Sequence, residues 1–427
     1  MHKKKVTVIG LGYVGFPLAC ALVESDKYEV FGLTRSSKTA DNINKKLLPV
    51  NDNFPTTVKR ENNLTAFTKP EKCLPYADYI IVCVPTPVYR NFTPDLRPVI
   101  NTTKLIAKYL KRGQTVILES TVYPGTCEEI ILPILETTGL KGGKDFILSH
   151  CPERINPGDS RWNVYNIPRN VGSLTKKDCQ KTVQFYRSFL KAKIFGMSTL
   201  KEAESTKIVE NAFRDVNIAF VNELARSFDK LKINLINVLK GAANKPFAFI
   251  PHYPGCGVGG HCIAVDPYYL IQRAKQAGFN HQLLKLARHV NNDMPKYTVN
   301  LLLKALDRQK IKSTGIKVGI LGVTYKPDVA DIRTSPAISV LNLLEKRAIL
   351  TEIFDPYIKK LSTVPDLDTL LEKCKALILC TCHSSFIKNI TAKKLKKHDV
   401  CIVIDGRNCL QMEEIKKLGI YYKGIGR

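Results

Sequence analysis

Lys5-Val6-Thr7-Val8-Ile9-Gly10-Leu11-Gly12-Tyr13-Val14-Gly15 opens the chain, and an apolar segment, residues 18–23, follows it. A short β-rich run, glycines spaced G-x-G-x-x-G and then a helical pattern read as strand, turn and helix, the dinucleotide fingerprint. Gly10 makes the turn, Gly12 admits a pyrophosphate close to the backbone, and Gly15 lets the helix pack on the strand. The helix N-terminus then faces the phosphates. With Tyr13 and Val14 between them, these residues are the expected cofactor cradle of an N-terminal α/β domain.

Working outward, the second strand (30–33) should end in an acid that grips the ribose hydroxyls of NAD, but Thr34-Arg35-Ser36-Ser37 stands there. An arginine beside small polar residues leaves room for the 2′-phosphate of NADP. The other reading keeps NAD, with Thr34 on the ribose and Arg35 stacked on adenine. NAD is favoured slightly. Strands at 79–84 and 115–119 end at Pro85-Thr86-Pro87 and Ser120-Thr121. Ligands sit at the carboxyl ends of such strands, so Pro85, Thr86, Ser120 and Thr121 should face the nicotinamide half of the cofactor. A strand at 146–149 leads similarly into Cys151-Pro152-Glu153-Arg154-Ile155-Asn156-Pro157-Gly158.

A helical pattern at 3.6 spacing runs over 200–231, and Lys207, Asn211 and Arg214 share one of its faces. Beyond it, residues 254–270 hold four glycines and two prolines, which predicts a tightly specified loop throughout. Cys262 and Asp266 lie in that loop. They are either a nucleophile with a base or a buried thiol beside a helix cap. After a further helix at 282–306 the strand–glycine–helix grammar returns from 317 onward, and its loops carry the cations Lys326, Arg333 and Arg407, suited to phosphates. The expected fold class is α/β, two Rossmann-like doubly wound domains joined by a central helical region with a long helix. The expected boundaries are 1–198, 199–310 and 311–427.

Composition bounds the alternatives. At 427 residues the chain calls for more than one core, and no apolar run approaches a bilayer span. Thirteen scattered cysteines without a secretory signal read as reduced thiols in a cytoplasmic protein. Cys380-Thr381-Cys382-His383 lacks a second pair at zinc-finger spacing, so no metal site is expected. A net charge of +27 raises nucleic-acid binding as a rival, but the lysines are spread over the chain without an aromatic-interleaved stripe. A solvated surface is the favoured reading, with neither nucleic acid nor membrane as partner.

Taken in order, these motifs resemble the nucleotide-sugar 6-dehydrogenases, the family of UDP-glucose, GDP-mannose and UDP-N-acetylhexosamine dehydrogenases. The resemblance runs nearly end to end. It includes Gly10 to Gly15, Val84-Pro85-Thr86-Pro87, Glu119-Ser120-Thr121-Val122, Lys207 with Asn211, Gly259-Gly260-His261-Cys262 to Asp266, Tyr325-Lys326-Pro327-Asp328 through Arg333, and Asp405-Gly406-Arg407. The Pro152-Glu153-Arg154 wording is similar to the N-acetylhexosamine branch, UDP-N-acetylglucosamine first and UDP-N-acetylmannosamine next.

The resemblance implies an NAD domain, a helical region that makes a homodimer, and a UDP domain. It implies a C6 alcohol oxidised to a carboxylate through a thiohemiacetal and a thioester on Cys262, with Lys207 and Asn211 stabilising the oxyanion. Asp266, Glu153 and Thr121 would handle the hydrolytic water. Arg333 would join the cofactor residues. Glu153, Arg154, Ile155, Asn156, Lys207, Asn211, Arg214, Gly257, Gly259, Tyr325, Lys326 and Arg407 would bind substrate. A non-catalytic nucleotide-binding protein is the rival of a different class, and the presence of Lys207, Asn211, Cys262 and Asp266 together speaks against it.

Overall fold

The computed structural model describes residues 3–48, 63–89, 93–155, 161–260, 262–313 and 315–427. The chain folds as two compact units, one formed by Met1–Glu210 with Tyr268–Phe279 and the other by Asn211–Pro267 with Asn280–Arg427.

In the first unit, strands β1 (Lys4–Ile9), β2 (Tyr28–Leu33), β3 (Leu64–Phe67), β4 (Tyr79–Val82), β5 (Thr115–Leu118), β6 (Ile147–His150), β7 (Arg169–Ser173) and β8 (Ile194–Gly196) form one sheet. Their order is β3-β2-β1-β4-β5-β6-β7-β8, parallel except where β6 meets β7. Val6, Val8, Ile81 and Ile117 are fully buried and, with Leu18 and Leu22 of helix Gly15–Glu24, make the core. Strands covered on both faces read as continuous apolar runs, which is why β4 and β5 were legible as strands.

The second unit carries a five-stranded parallel sheet of β9 (Lys317–Leu321), β10 (Leu350–Phe354), β11 (Ala376–Leu379), β12 (Ile402–Asp405) and β13 (Tyr421–Gly424) in the order β10-β9-β11-β12-β13. Helix Leu283–Arg308 packs into its core through Met294, Leu301, Leu302 and Ala305. Pro295 lies inside this helix. The long helix, Leu200–Leu231, is continuous through both units and has the expected bounds.

Two expectations are corrected. The glycine-rich segment is not a loop to its end, because a helix, Asp266–Gln276, starts at the aspartate. Pro267 is no obstacle there, since the first turn of a helix needs no N–H from it and its fixed φ suits that position. The cysteines are also not all reduced: Cys382 and Cys409 are joined, with Cα atoms 6.5 Å apart, and eleven others are free. Sequence spacing could not show this pairing, which depends on the ends of β11 and β12 lying side by side. Among the described residues no helix is long and apolar enough to cross a membrane, and no group of residues is arranged to hold a metal ion.

Candidate active site

The cofactor end of the first unit is built by its glycines. Gly10 has φ +93°, and a Cβ there would sit 2.6 Å from the Cys83 carbonyl oxygen. Its own amide donates to Leu33 O at 3.0 Å, which fixes the turn. A Cβ on Gly15 would strike the Gly10 carbonyl, so helix and turn touch only because both residues are glycine. Gly12 differs: nothing lies within 4 Å of its would-be Cβ. No side chain caps helix Gly15–Glu24 at Val14. An open face over Gly12 beside an uncapped helix start suits a pyrophosphate, so these residues fit NAD. Tyr13 is partly exposed at the rim.

At the end of β2, Thr34 N donates to Phe67 O at 3.0 Å, and its Oγ1 accepts from Ser36 N at 3.3 Å. Ser36 caps the helix that follows, and Arg35 is exposed. Among the strand ends, Thr86 O accepts from Tyr269 Oη at 2.7 Å, and Ser120 Oγ donates to Val84 O at 2.7 Å. Pro85 is exposed and Thr121 half-buried.

Beyond β6, Glu153 is buried and its Oε1 accepts from the Ile155 amide. Arg154 is held by Glu210, with Nη2 to Oε1 2.5 Å, and by Pro168 O at 3.0 Å. Its guanidinium thus ties this loop to the long helix as well as standing in the motif. Asn156 lies outside the described residues. Lys207 is half-buried, one turn before Asn211 on the long helix. Just upstream, buried Glu204 accepts from the amides of Gly125 (2.6 Å) and Cys127 (2.7 Å), and burial pushes its carboxyl up to about 7.

Sequence reading missed two groups in this unit. Glu119, Arg169 and Tyr186 form a buried cluster, with Arg169 Nη1 3.0 Å and Tyr186 Oη 2.5 Å from Glu119 Oε1. His150, the last residue of β6, is also buried, and neither ring nitrogen has a hydrogen-bond partner. The available signal was a polar ring ending an apolar strand directly before Cys151-Pro152-Glu153.

In the second unit Cys262 is half-buried, and its carbonyl oxygen accepts from the amides of Val265 (2.9 Å) and Asp266 (2.8 Å). Asp266 is buried and its Oδ2 accepts from Asn211 Nδ2 at 2.6 Å. The thiol is therefore carried on a turn that leads straight into the helix headed by the carboxylate. The glycines before it run against residues 325–336: a Cβ on Gly259 would lie 2.8 Å from Thr334 O and Tyr325 Cβ, and one on Gly260 2.7 Å from Tyr325 Cε2. Gly260 N donates to Arg333 O at 3.0 Å, and Thr334 Oγ1 donates to Gly260 O at 2.7 Å. Gly257 has φ +133°.

Arg333, expected with the cofactor, belongs to the Cys262 unit, where it pairs with Asp331 and lies near Tyr325 and Cys262. Tyr325 N donates to Asp331 O, and Lys326 O accepts from Thr324 Oγ1. Arg407 Nε donates to Cys380 O at 2.9 Å. Arg214 is exposed on the long helix. The two thiols of the loop now separate: Cys256 is fully buried, where a hydrogen bond with Cys380 and then Arg407 hold its pKa low, whereas Cys262 is partly open.

Three family models match in succession: the NAD binding domain of the UDP-glucose/GDP-mannose dehydrogenase family over residues 4–190, its central domain over 201–293 and its UDP binding domain over 319–412. The chain is 35% identical over 410 residues to a UDP-N-acetyl-D-glucosamine 6-dehydrogenase of Pseudomonas aeruginosa, covering 93% of this chain and 94% of that one. The solved structure of a UDP-D-ManNAc dehydrogenase from Pyrococcus horikoshii matches with TM-score 0.91 at 33% identity, over 99% of both chains. A UDP-N-acetyl-mannosamine dehydrogenase of Staphylococcus aureus matches at 0.85 and 31%, over 99% of both. With sequence, domain order and fold in agreement along nearly its whole length, the chain belongs to the UDP-glucose/GDP-mannose dehydrogenase family, NAD-dependent oxidoreductases acting on a CH–OH group.

Proposed function

We propose that this chain is a UDP-N-acetylhexosamine 6-dehydrogenase that converts the C6 alcohol to the carboxylate, with UDP-N-acetylglucosamine the favoured substrate and UDP-N-acetylmannosamine the alternative. UDP-glucose and GDP-mannose stand behind them. The observation that carries the reading is the turn at Cys262, whose thiol is partly open and whose carbonyl binds the amide of Asp266, itself bonded to Asn211. Its relatives in Pseudomonas aeruginosa and Pyrococcus horikoshii carry the two hexosamine names.

Two molecules of NAD, bound in succession, would supply the hydride acceptors for the two oxidations, and Gly10, Gly12 and Gly15 would hold each in turn. Lys207 places a positive charge where alkoxide character develops on the sugar oxygen, and the second N–H of Asn211 serves the same oxygen. The Cys262 sulfur adds to the aldehyde carbon while its proton passes to the carbonyl oxygen, so a thiohemiacetal forms and no free aldehyde leaves. Oxidation of that adduct gives a thioester. Water, activated by Asp266 or positioned by Glu153 and Thr121, attacks the acyl carbon and expels the thiolate. Tyr325, Lys326 and Arg407 supply donors for the nucleotide part of the substrate.

The same reading assigns 1–198 to NAD, 199–310 to a linker and dimerisation region, and 311–427 to UDP. On the long helix Val209, Phe213 and Phe220 are about half exposed and share a face, which supports a homodimer built there. A cytoplasmic location belongs to the same reading, and a role in capsule or O-antigen uronic acid supply accords with similarity to Protein CapL of Staphylococcus aureus. A panel of UDP- and GDP-sugars tests the substrate. The highest kcat/KM is expected with a UDP-N-acetylhexosamine, and a clear preference for UDP-glucose or GDP-mannose overturns the assignment.

A further inference from the structure

The two faces of strand β6 are used differently. Ser149 Oγ bonds Ser173 Oγ at 2.6 Å and Thr182 Oγ1 at 2.8 Å, so it faces helix Lys176–Phe189. His150, the next residue, points to the opposite face by the alternation of a strand. Its antiparallel partner is Gly172. A Cβ on Gly172 would lie 2.8 Å from Ala203 Cβ and 3.0 Å from Leu200 Cα. That face is therefore covered by the first turns of the long helix, which approach because residue 172 has no side chain. Lys207 is four residues beyond Ala203 and so one turn further along the same helical stripe.

His150 is 1% exposed, and its Nδ1 and Nε2 both lack a hydrogen-bond partner. A buried imidazole with no partner is costly, and such a group in a native fold calls for an explanation. Burial and the Lys207 ammonium together hold its ring pKa down to about 3, so it is neutral at working pH and keeps one nitrogen lone pair. The charged group acting on that ring is Lys207.

We propose that His150 is a positioning residue for Lys207, offering a ring-nitrogen lone pair to the ammonium through one bridging water and fixing where that charge stands beneath the reacting sugar. The inference rests on the assignment of Lys207 to the oxyanion. A four-carbon stem allows its ammonium several positions, and an acceptor fixed in the sheet limits which of them it takes.

The test is a double-mutant cycle between His150 and Lys207, read as kcat and KM separately with a UDP-N-acetylhexosamine. His150→Phe should lower kcat by about 10- to 100-fold with KM changed far less. His150→Gln, which keeps a side-chain acceptor, should recover much of that loss, and on a Lys207→Met background His150→Phe should cost nothing more. If His150→Phe fails to fold, His150→Ala, which cannot overpack, takes its place in the cycle. A kcat within twofold of wild type in His150→Phe or His150→Ala, or equal losses with and without Lys207, overturns the proposal. A Lys207→Met variant with kcat within twofold of wild type instead overturns the assignment of the lysine beneath it.

Discussion

The two sheets begin with the same turn and use it differently. Gly10 and Gly322 each follow a central first strand, with φ +93° and +80°. Their amides donate to the end of the neighbouring strand, Leu33 O and Phe354 O, both at 3.0 Å. In each case a Cβ would collide with a carbonyl across the sheet, that of Cys83 or Thr381. After Gly10 the chain goes straight into a helix with open space over Gly12. After Gly322 the amides of Val323 and Thr324 are already taken by Asp355 Oδ2, at 2.6 and 3.2 Å. Asp355 stands just past β10, as Thr34 stands just past β2. The same backbone turn is thus a cradle for an external anion where its exit is open, and a closed structural joint where the chain supplies its own carboxylate. This contrast explains how one supersecondary pattern serves as NAD site in one domain and, in the other, as a frame for residues 325–335 and their cations.

The contrast breaks most directly at Gly12. Gly12→Val has space for its side chain and needs no positive φ, so thermal stability should change little while the NAD dissociation constant rises by about 100-fold or more. Unchanged NAD affinity by calorimetry would remove the pyrophosphate from this turn.

Asp355 sharpens the other side. Burial raises its carboxyl, but the hydrogen bonds from His383 and Val323 and the charge of His383 outweigh that, and the net shift is below its ordinary value of 3.8. A carboxyl depressed in the fold stabilises above its ordinary value, and that stability is lost as pH falls through the lower folded value. Asp355→Asn should cost about 1–3 kcal/mol at pH 7 in urea unfolding, with no change in NAD affinity. The gap from wild type should narrow as pH falls below 3.8. A gap that stays constant through the acid range would show that the charge of Asp355 is not what closes the turn.

The smallest effect is expected at Thr34. Restoring an acid with Thr34→Asp places a negative charge where a 2′-phosphate would lie. The ratio of kcat/KM for NAD over NADP should rise by about tenfold, or 1.4 kcal/mol. No change in the ratio would show that Thr34 is not at the ribose.

Much of this was legible in sequence because it is local. The G-x-G-x-x-G spacing, the apolar strands β1, β4, β5 and β9 and the periodicity of Leu200–Leu231 depend on near neighbours and carry their own signal. Strands β7, Arg169-Asn170-Val171-Gly172-Ser173, and β8, Ile194–Gly196, do not: the first mixes charge and glycine, the second is only three residues long, and the sheet alone makes them strands. The site divides in the same way. Cys262, Asp266 and Lys207 stand in motifs with their own residue signatures, whereas the role of His150 depends on a strand face and a helix stripe far apart in the chain. The link from Asp355 to Val323 and the Cys382–Cys409 bond are likewise set by strand order. A lone aspartate or cysteine announces neither.

In the proposed function one thiol carries the sugar through two successive oxidations. The most direct measurement counts NADH formed per UDP-N-acetylhexosamine consumed, with the product examined for free aldehyde. Two NADH per sugar, a carboxylate product and no released aldehyde are expected, with Cys262→Ser unable to complete the reaction. One NADH per sugar with an aldehyde product, or a Cys262→Ser enzyme that still delivers two at the wild-type rate, would contradict it.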